Sequence, residues 1–313
     1  MNPPFENYWG IDVSKEWLDV DAGDKVIRVN QDKKSINAFI KKHTKIDNQK
    51  TLVVLESTGG YERTAVRCLS EADFTVHVAH PHKVKAFIQA KGRLAKTDKI
   101  DAKMLKEYAR FIQPSEIRKV ATVLQEKLES LSARLTQLKE MRHQESCRLG
   151  MVTDNFIKKS IKNTLSLFEK QSNEIQTMIL DLITADSELK EKYTLLCSMK
   201  GIGVTTATIL ITDLPELGEI SKKEIAALVG VAPITNISGQ KTGKAVTKYG
   251  RFGVRKTLYM AALTASRYNP KLRDFYTKLI AAGKAPKVAL VAVIRKMLVI
   301  LNAMLQHKKP FYA

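Results

Sequence analysis

The sequence predicts an α/β domain followed by a mostly α-helical region, and three observations lead to this fold class. Short β-type runs alternate with helical patterns over roughly the first third of the 313 residues. Pro114 ends that alternation, and leucines then recur with steps of four and three from Leu124 to Leu138, as on the a/d seam of a coiled coil. The last third is helical and basic. We therefore expect an α/β domain at 1–115, a coiled-coil region at 116–192 and a helical domain at 193–313.

The first region is predicted to contain three strands, then helix, strand, helix, strand and a final helix. The predicted bounds are, in order, strands 8–13, 17–21 and 25–29, helix 33–42, strand 51–56, helix 61–71 and strand 74–79. This is the element order of a ribonuclease-H-like domain, in which the first and fourth strands are neighbours. That arrangement would bring Asp12 beside Glu56.

Four acids of this region lie at positions where a carboxylate is expected to need a positively charged partner. Asp12 interrupts the apolar run 8–13, Glu56 ends the apolar run 52–55, and Asp98 and Asp101 are one helical turn apart. A carboxylate on a buried strand is costly unless it is paired, so these acids predict a shared cation, Mg²⁺ or Mn²⁺, and a phosphodiester substrate. A competing interpretation of Asp98 and Asp101 is that they cap a helix and complement its dipole.

Composition favours a polyanionic partner. The formal net charge is +20, and the excess of Lys and Arg is spread along the chain, which favours nucleic acid. The alternatives are a membrane surface, an acidic protein, or a basicity like that of ribosomal proteins without any enzyme activity. The three cysteines are far apart, which argues against a disulfide framework or a zinc finger. The first residues lack the pattern of a secretory signal, and the late apolar stretch between 288 and 301 is split by Arg295 and Lys296. We expect a cytoplasmic, nucleoid-associated protein with no membrane partner.

The middle of the chain predicts two long helices. The leucine seam is followed by a second helical stretch at about 155–192, with a bend near Gly150. Such a pair forms either an antiparallel hairpin or an oligomer contact, and an ordinary helical bundle has the same pattern.

Two features of the last third point to phosphate binding. Gly201-Ile202-Gly203 resembles a helix-hairpin-helix turn, which presents backbone N–H groups to a phosphate; a plain helix-helix corner is the alternative. The long loop that follows Pro233, and the helix predicted to begin at Arg255, carry cations of the kind that contact phosphate: Lys241, Lys244, Lys248, Arg251 and Arg255. Ser238, which precedes a glycine in this loop, has by itself the pattern of a turn residue.

The sequence resembles a known family of DNA recombinases in three N-terminal and several C-terminal motifs. Gly10-Ile11-Asp12-Val13-Ser14-Lys15 with Leu18-Asp19-Val20, Glu56-Ser57-Thr58-Gly59-Gly60-Tyr61 and the motif 95–102 are similar to the DEDD domain of insertion-sequence-110 transposases and Piv-type DNA invertases. Gly201-Ile202-Gly203, Ala232-Pro233, Ser238-Gly239 and the motif 250–255 resemble the C-terminal domain of the same family. One departure is His80-Pro81-His82, where relatives often have Asn-Pro.

The resemblance implies roles for particular residues. It implies a RuvC-like N-terminal domain in which Asp12, Glu56, Asp98 and Asp101 are the metal acids, and a C-terminal domain in which Ser238 is the nucleophile that attacks DNA. It also implies a structured bridge RNA that pairs with donor and target DNA.

The sequence is therefore interpreted as a Mg²⁺-dependent (or Mn²⁺-dependent) DNA transposase that works through a covalent phosphoserine intermediate. Because Ser238 is far from the acids in sequence, we expect a composite site, completed within one chain or between subunits of a homodimer or homotetramer. The alternatives are a RuvC-like endonuclease that hydrolyses DNA, with Ser238 only a turn residue, and a non-catalytic architectural protein, which would leave the four acids unexplained.

Overall fold

A computed structural model describes residues 5–23, 25–43, 47–92, 98–117, 120–234, 237–238, 241–242 and 246–311 of the chain; at positions 98–100, 115, 237–238 and 241–242 it describes the backbone only. The chain forms two compact units, Met1–Ala121 and Thr122–Ala313. The three-region division at 1–115, 116–192 and 193–313 stays a prediction.

The first unit is a five-stranded sheet with helices on both faces. Its elements are β1 (Asn7–Val13), β2 (Trp17–Asp21), β3 (Val26–Asn30), α1 (Lys33–Lys42), β4 (Thr51–Glu56), α2 (Arg63–Glu71), β5 (Thr75–Ala79), α3 (Pro81–Ala90), α4 (Asp98–Ala109) and a 3-10 turn (Pro114–Glu116). The strand order is β3-β2-β1-β4-β5; β2 is antiparallel to both neighbours, and β1, β4 and β5 are parallel. The predicted strands and helices are confirmed, with bounds that differ by at most two residues, and so is the predicted adjacency of the first and fourth strands.

Both faces of the central strands are buried. Trp9, Ile11 and Leu55 pack with α1 and α2 on one face. Val54 and its strand neighbour Leu52 pack with α3 and α4 on the other. Because successive side chains of a strand point to opposite faces, this double burial explains why β1 and β4 have nearly continuous apolar sequences.

Gly10 in β1 allows α4 to lie directly on the sheet. A Cβ atom at Gly10 would be 2.1 Å from the carbonyl oxygen of Ala102 and 2.3 Å from the backbone nitrogen of Lys106. Any side chain here would therefore push the helix backbone off the strand.

The second unit consists of helices and a short β-hairpin. Its elements are α5 (Val123–Leu149), α6 (Asn155–Ala185), α7 (Ser187–Cys197), α8 (Val204–Asp213), α9 (Lys222–Val229), β6 (Ile237–Ser238), β7 (Lys241–Thr242), α10 (Phe252–Tyr268), α11 (Pro270–Ala281) and α12 (Pro286–His307). Helices α5 and α6 pack against each other, and Leu128 and Leu138 of the predicted leucine seam are fully buried. The two helices thus form a hairpin, which is one of the two arrangements expected from the leucine seam; an oligomer contact stays a prediction.

Two expected helix bounds are wrong. The helical stretch at 155–192 is two helices, because Asp186 has an extended backbone and its side chain accepts a hydrogen bond from the backbone N–H of Leu189, which caps α7. Helix α10 begins at Phe252 and not at Arg255.

Helix α12 packs inside the second unit. It is long and apolar enough to cross a membrane by length and composition, contrary to the sequence expectation, and half of its most apolar window is buried. Its side chains Val293, Met297 and Leu301 are completely buried in the main apolar cluster of the unit. The helix thus has the packing of a core helix.

We expect Gly10→Ala to lower the free energy of unfolding by about 1–3 kcal/mol, because the new methyl group overlaps the backbone of α4. Urea unfolding measures the change. The matched control is Gly23→Ala, since a Cβ atom there has no other atom within 4 Å. Equal stability of the two variants would contradict the close packing of α4 on β1.

Candidate active site

Asp12 and Glu56 lie at the same end and on the same face of the sheet. In the parallel pair of β1 and β4, Ile11 is opposite Leu55, so Asp12 and Glu56 are the next residues along the two strands. Two residues earlier, Gly10 contacts α4 and Val54 packs on the α3 and α4 side. By strand alternation both acids face the α4 side, where each is partly exposed.

Helix α4 brings the other two acids toward this end. The backbone at Ala102 lies on Gly10, while the guanidinium of Arg110, eight residues further on, is 6.0 Å from the ring centroid of Tyr8. The helix therefore runs antiparallel to β1, and its first turn, which contains Asp98 and Asp101, lies toward Asp12. The side chain of Asp101 is partly buried, and that of Asp98 is outside the described residues.

The donor chemistry of this set fits a hard divalent cation. Carboxylate oxygens are the ligands that Mg²⁺ and Mn²⁺ prefer, and the helix N-terminus adds a favourable dipole for clustered carboxylates. Among the side chains that the structure describes, no three His, Cys, Asp or Glu residues are close enough together to form a metal site. The ligand set consequently stays a prediction.

Asp19 is a further acid on this face, and it is not among the site residues that the sequence predicts. It is the direct cross-strand partner of Asp12 in the antiparallel pair of β1 and β2, so the two side chains are on the same face. Its side chain is 2% exposed and forms a two-point ion pair with Arg28 of β3, with Nε to Oδ1 at 3.0 Å and Nη2 to Oδ2 at 2.7 Å. In the sequence, Asp19 lies between the apolar residues Leu18 and Val20. This alternation places it on the opposite face of the strand from those two residues.

The loop that follows Glu56 is held by Glu62. One carboxylate oxygen of Glu62 accepts hydrogen bonds from the backbone N–H and hydroxyl of Thr58, at 3.2 and 2.8 Å, and from the N–H of Gly60, at 2.9 Å. Burial alone would raise the pKa of Glu62, but these hydrogen bonds hold it below the ordinary value of a glutamate. Glu62 is therefore a structural acid of this loop.

In the second unit, Ser238 lies in a short β-hairpin. Ile234 and Val246 form a backbone bridge at its base, with hydrogen bonds of 2.8 and 3.1 Å. Further out along the two strands, Ser238 pairs with Lys241. The side chains of Ser238 and Lys241 are not among those described, and Lys244 lies outside the described residues.

The glycines of the predicted helix-hairpin-helix turn have different roles. Gly201 has a φ of +107°, and a Cβ atom there would be 2.6 Å from the Cβ of Ala265, so this glycine allows the turn to pack on α10. Gly203 precedes the first residue of α8, and it is exposed together with Val204 and Thr205. The phosphate-binding role of both glycines stays a prediction.

The predicted DNA-contacting cations differ in their surroundings. Lys248 is exposed. Arg251 forms a two-point ion pair with Glu216, both distances being 2.6 Å, and Arg255 donates to the carbonyls of Gly230 and Tyr249 at 3.1 and 2.7 Å. The guanidinium groups of both arginines thus donate hydrogen bonds to acceptors within the protein.

Two family models and several known proteins match the chain. A transposase model, the DEDD transposase domain of IS110-type elements, matches residues 9–156, and a model described as the transposase IS116/IS110/IS902 family matches residues 193–277. The chain is 26% identical to the pilin gene-inverting protein of Moraxella bovis over 276 residues, which is 84% of this chain and 83% of that protein. The corresponding protein of Moraxella lacunata has the same identity and coverage. A 43.6 kDa protein of insertion element IS110 from Streptomyces coelicolor is 25% identical over 159 residues, half of this chain and 38% of that protein.

The fold and these matches identify the class of protein. A sheet with acids at one end, joined to a helical unit that matches a transposase model, is typical of an enzyme that recombines DNA. The two matched ranges belong to one family, occur in the expected order and take in most of the chain. The chain therefore belongs to the IS110 family of transposases, and the DEDD transposase domain indicates a ribonuclease-H-like fold and dependence on a divalent metal.

We expect Arg28→Gln to lower the free energy of unfolding by about 1–3 kcal/mol, because it leaves the buried carboxylate of Asp19 unpaired beside Asp12. In the double variant Asp19→Asn with Arg28→Gln no charge is left uncompensated, so we expect most of the lost stability to return. Urea unfolding of the two single variants and the double variant gives the coupling energy. Effects that simply add within about 0.5 kcal/mol would contradict this role of the pair.

Proposed function

We propose that this transposase cuts and rejoins DNA through a covalent phosphoserine intermediate. Ser238 would be the nucleophile, and Asp12, Glu56, Asp98 and Asp101 would hold Mg²⁺ or Mn²⁺ in a RuvC-like domain. The observation that carries the proposal is the convergence of Asp12, Glu56 and the first turn of α4 at one end of the sheet, in a chain whose second unit has Ser238 on a paired strand.

The covalent step conserves the number of phosphoester bonds. The Oγ of Ser238 attacks the phosphorus of a DNA phosphodiester, an Oγ–P bond forms and the bond from phosphorus to one deoxyribose oxygen breaks. The serine hydroxyl loses its proton, and the leaving oxygen gains one. Attack by a new DNA hydroxyl reverses these steps, so strands are rejoined without an external energy source.

The acids and the cations have separate tasks in this proposal. A bound divalent ion supplies positive charge where negative charge develops on the phosphate. The four carboxylates hold that ion, and Glu62 orders the loop after Glu56. The lysines of the hairpin segment, Lys241, Lys244 and Lys248, would neutralise the DNA backbone.

The family and the net charge support the following proposals for partners and location. We propose donor and target DNA as substrates, a structured bridge RNA as the guide, a homodimer or homotetramer as the working form and the cytoplasmic nucleoid as the place of action. The name of the Moraxella relatives refers to inversion of a pilin gene.

A RuvC-like endonuclease is the second candidate function. The carboxylates at the end of the sheet would serve equally well to hold a cation that activates water. DNA would then be hydrolysed with no protein attached, and Ser238 would be a turn residue.

The test is a denaturing gel of protein incubated with nicked DNA, the copurified RNA and Mg²⁺. We expect a protein–DNA adduct that falls by a factor of about 10³ or more in Ser238→Ala and in Asp12→Asn, and that is absent when EDTA replaces Mg²⁺. The controls are Thr247→Ala, which removes an exposed hydroxyl of the same segment, and Asp73→Asn, which removes an exposed acid of the first unit. Free cut ends that persist in Ser238→Ala would instead support hydrolysis.

Sequencing the RNA that copurifies with the protein tests the guide proposal. A chain with a net charge of +20 binds RNA nonspecifically, so the complex is first washed at high salt, which weakens phosphate contacts. We expect one dominant structured species that is required for recombination. Fragments of abundant cellular RNAs only, together with full recombination after RNase treatment, would refute a guide.

A further inference from the structure

The base of the hairpin that carries Ser238 is unusually well connected to the helices of its own unit. The hairpin leaves the helices just after Gly230 and returns to them at Gly250. Both glycines have left-handed backbones, with φ of +75° and +77°. A Cβ atom at Gly230 would be 2.0 Å from the carbonyl oxygen of Tyr249, and one at Gly250 would be 2.3 Å from the nitrogen of Gly230. The two ends of the segment thus touch backbone to backbone.

Arg255 connects the two ends. Its Nη1 atom donates to the carbonyl of Gly230 at 3.1 Å, on the outgoing arm, and to the carbonyl of Tyr249 at 2.7 Å, on the returning arm. A single guanidinium nitrogen therefore holds both arms at the point where the hairpin begins.

Arg251 fixes the returning arm to the rest of the unit. Its backbone N–H donates to the carbonyl of Leu228 in α9 at 2.9 Å. Its guanidinium forms the two-point pair with Glu216, whose side chain is only 17% exposed, and also donates to the carbonyl of Asp213 at 2.8 Å. A planar guanidinium can make these parallel hydrogen bonds, and a lysine ammonium cannot.

We propose that Arg251 and Arg255 are positioning residues for Ser238, and that with Glu216, Gly230 and Gly250 they form a hairpin clamp. The clamp sets where the arm carrying the serine leaves the helices, and a displacement of about 1 Å at a reacting atom can cost about a hundredfold in rate. This inference rests on the proposed role of Ser238. It replaces, for these two arginines, the expectation that they contact DNA phosphates.

A charge swap between Arg251 and Glu216 tests the clamp against phosphate contact. The rate of adduct formation at saturating DNA is measured for Arg251→Glu, Glu216→Arg and the double variant. We expect each single variant to lose about tenfold to a hundredfold and the double variant to recover most of the loss, because the ion pair is restored with reversed polarity. If Arg251 bound phosphate, the double variant would be no better than Arg251→Glu, and this result overturns the proposal.

Arg251→Lys and DNA binding supply the second comparison. Lysine keeps the charge but loses the two-point geometry, so we expect a slower rate with unchanged DNA affinity and salt dependence. The matched control is Lys256→Ala, which removes an exposed cation of the same helix. A wild-type rate for Arg251→Lys would overturn the proposal.

Hydrogen exchange separates failure of the clamp from failure of the proposed function. The amides of Ile234 and Val246 are hydrogen-bonded across the hairpin base, and we expect both to exchange faster in Arg255→Ala than in the wild type or in Lys256→Ala. Unchanged exchange overturns the clamp whether or not Ser238 is the nucleophile. Faster exchange with a normal adduct rate overturns positioning, whereas the absence of any Ser238-dependent adduct in the wild type overturns the proposed function alone.

Discussion

The first unit depends on the contact between the backbone of α4 and Gly10 of β1. A strand and a helix normally pack through side chains, which separate their backbones. Here the carbonyl of Ala102 and the nitrogen of Lys106 occupy the space that a side chain of residue 10 would need. The helix consequently lies close to the sheet. Its N-terminal turn, which contains Asp98 and Asp101, lies toward the end of β1 at which Asp12 is found.

A charged row across the sheet explains how so many acids are tolerated on one face. From β3 to β4 the row is Arg28, Asp19, Asp12 and Glu56, each opposite or next to the following one. Like charges on neighbouring strands repel each other, so the row is stable only if cations are interleaved. Arg28 supplies one from the protein and neutralises Asp19. In the proposed mechanism, a divalent ion held by Asp12 and Glu56 would supply another.

The second unit also contains a close backbone contact that glycines make possible. Gly230 and Gly250 bring two backbone segments into direct contact, as Gly10 does in the first unit, but here the contact closes the base of a hairpin. Arg251 and Arg255 donate hydrogen bonds to carbonyls and to a carboxylate around that closure. A loop is positioned more accurately when its base is rigid, and in the proposed mechanism this closure would help to position Ser238.

Much of the fold was predictable because its signals are local. The apolar runs of β1 and β4 and the periodicity of α1 and α2 follow from the alternation of side chains in strands and helices, so their bounds were predicted to within two residues. The break at Asp186 was missed, since α6 and α7 are both amphipathic and only the capping hydrogen bond separates them. The sequence alone was thus enough to predict the order of the elements, the basic net charge and the four acids with their resemblance to one family. The tertiary structure was needed to find that Asp19 is the cross-strand partner of Asp12 and that Arg251 and Arg255 donate hydrogen bonds to Glu216 and to backbone carbonyls. A sequence shows the sign of a side chain's charge, whereas the partner of that charge depends on strand register and on segments that are distant along the chain.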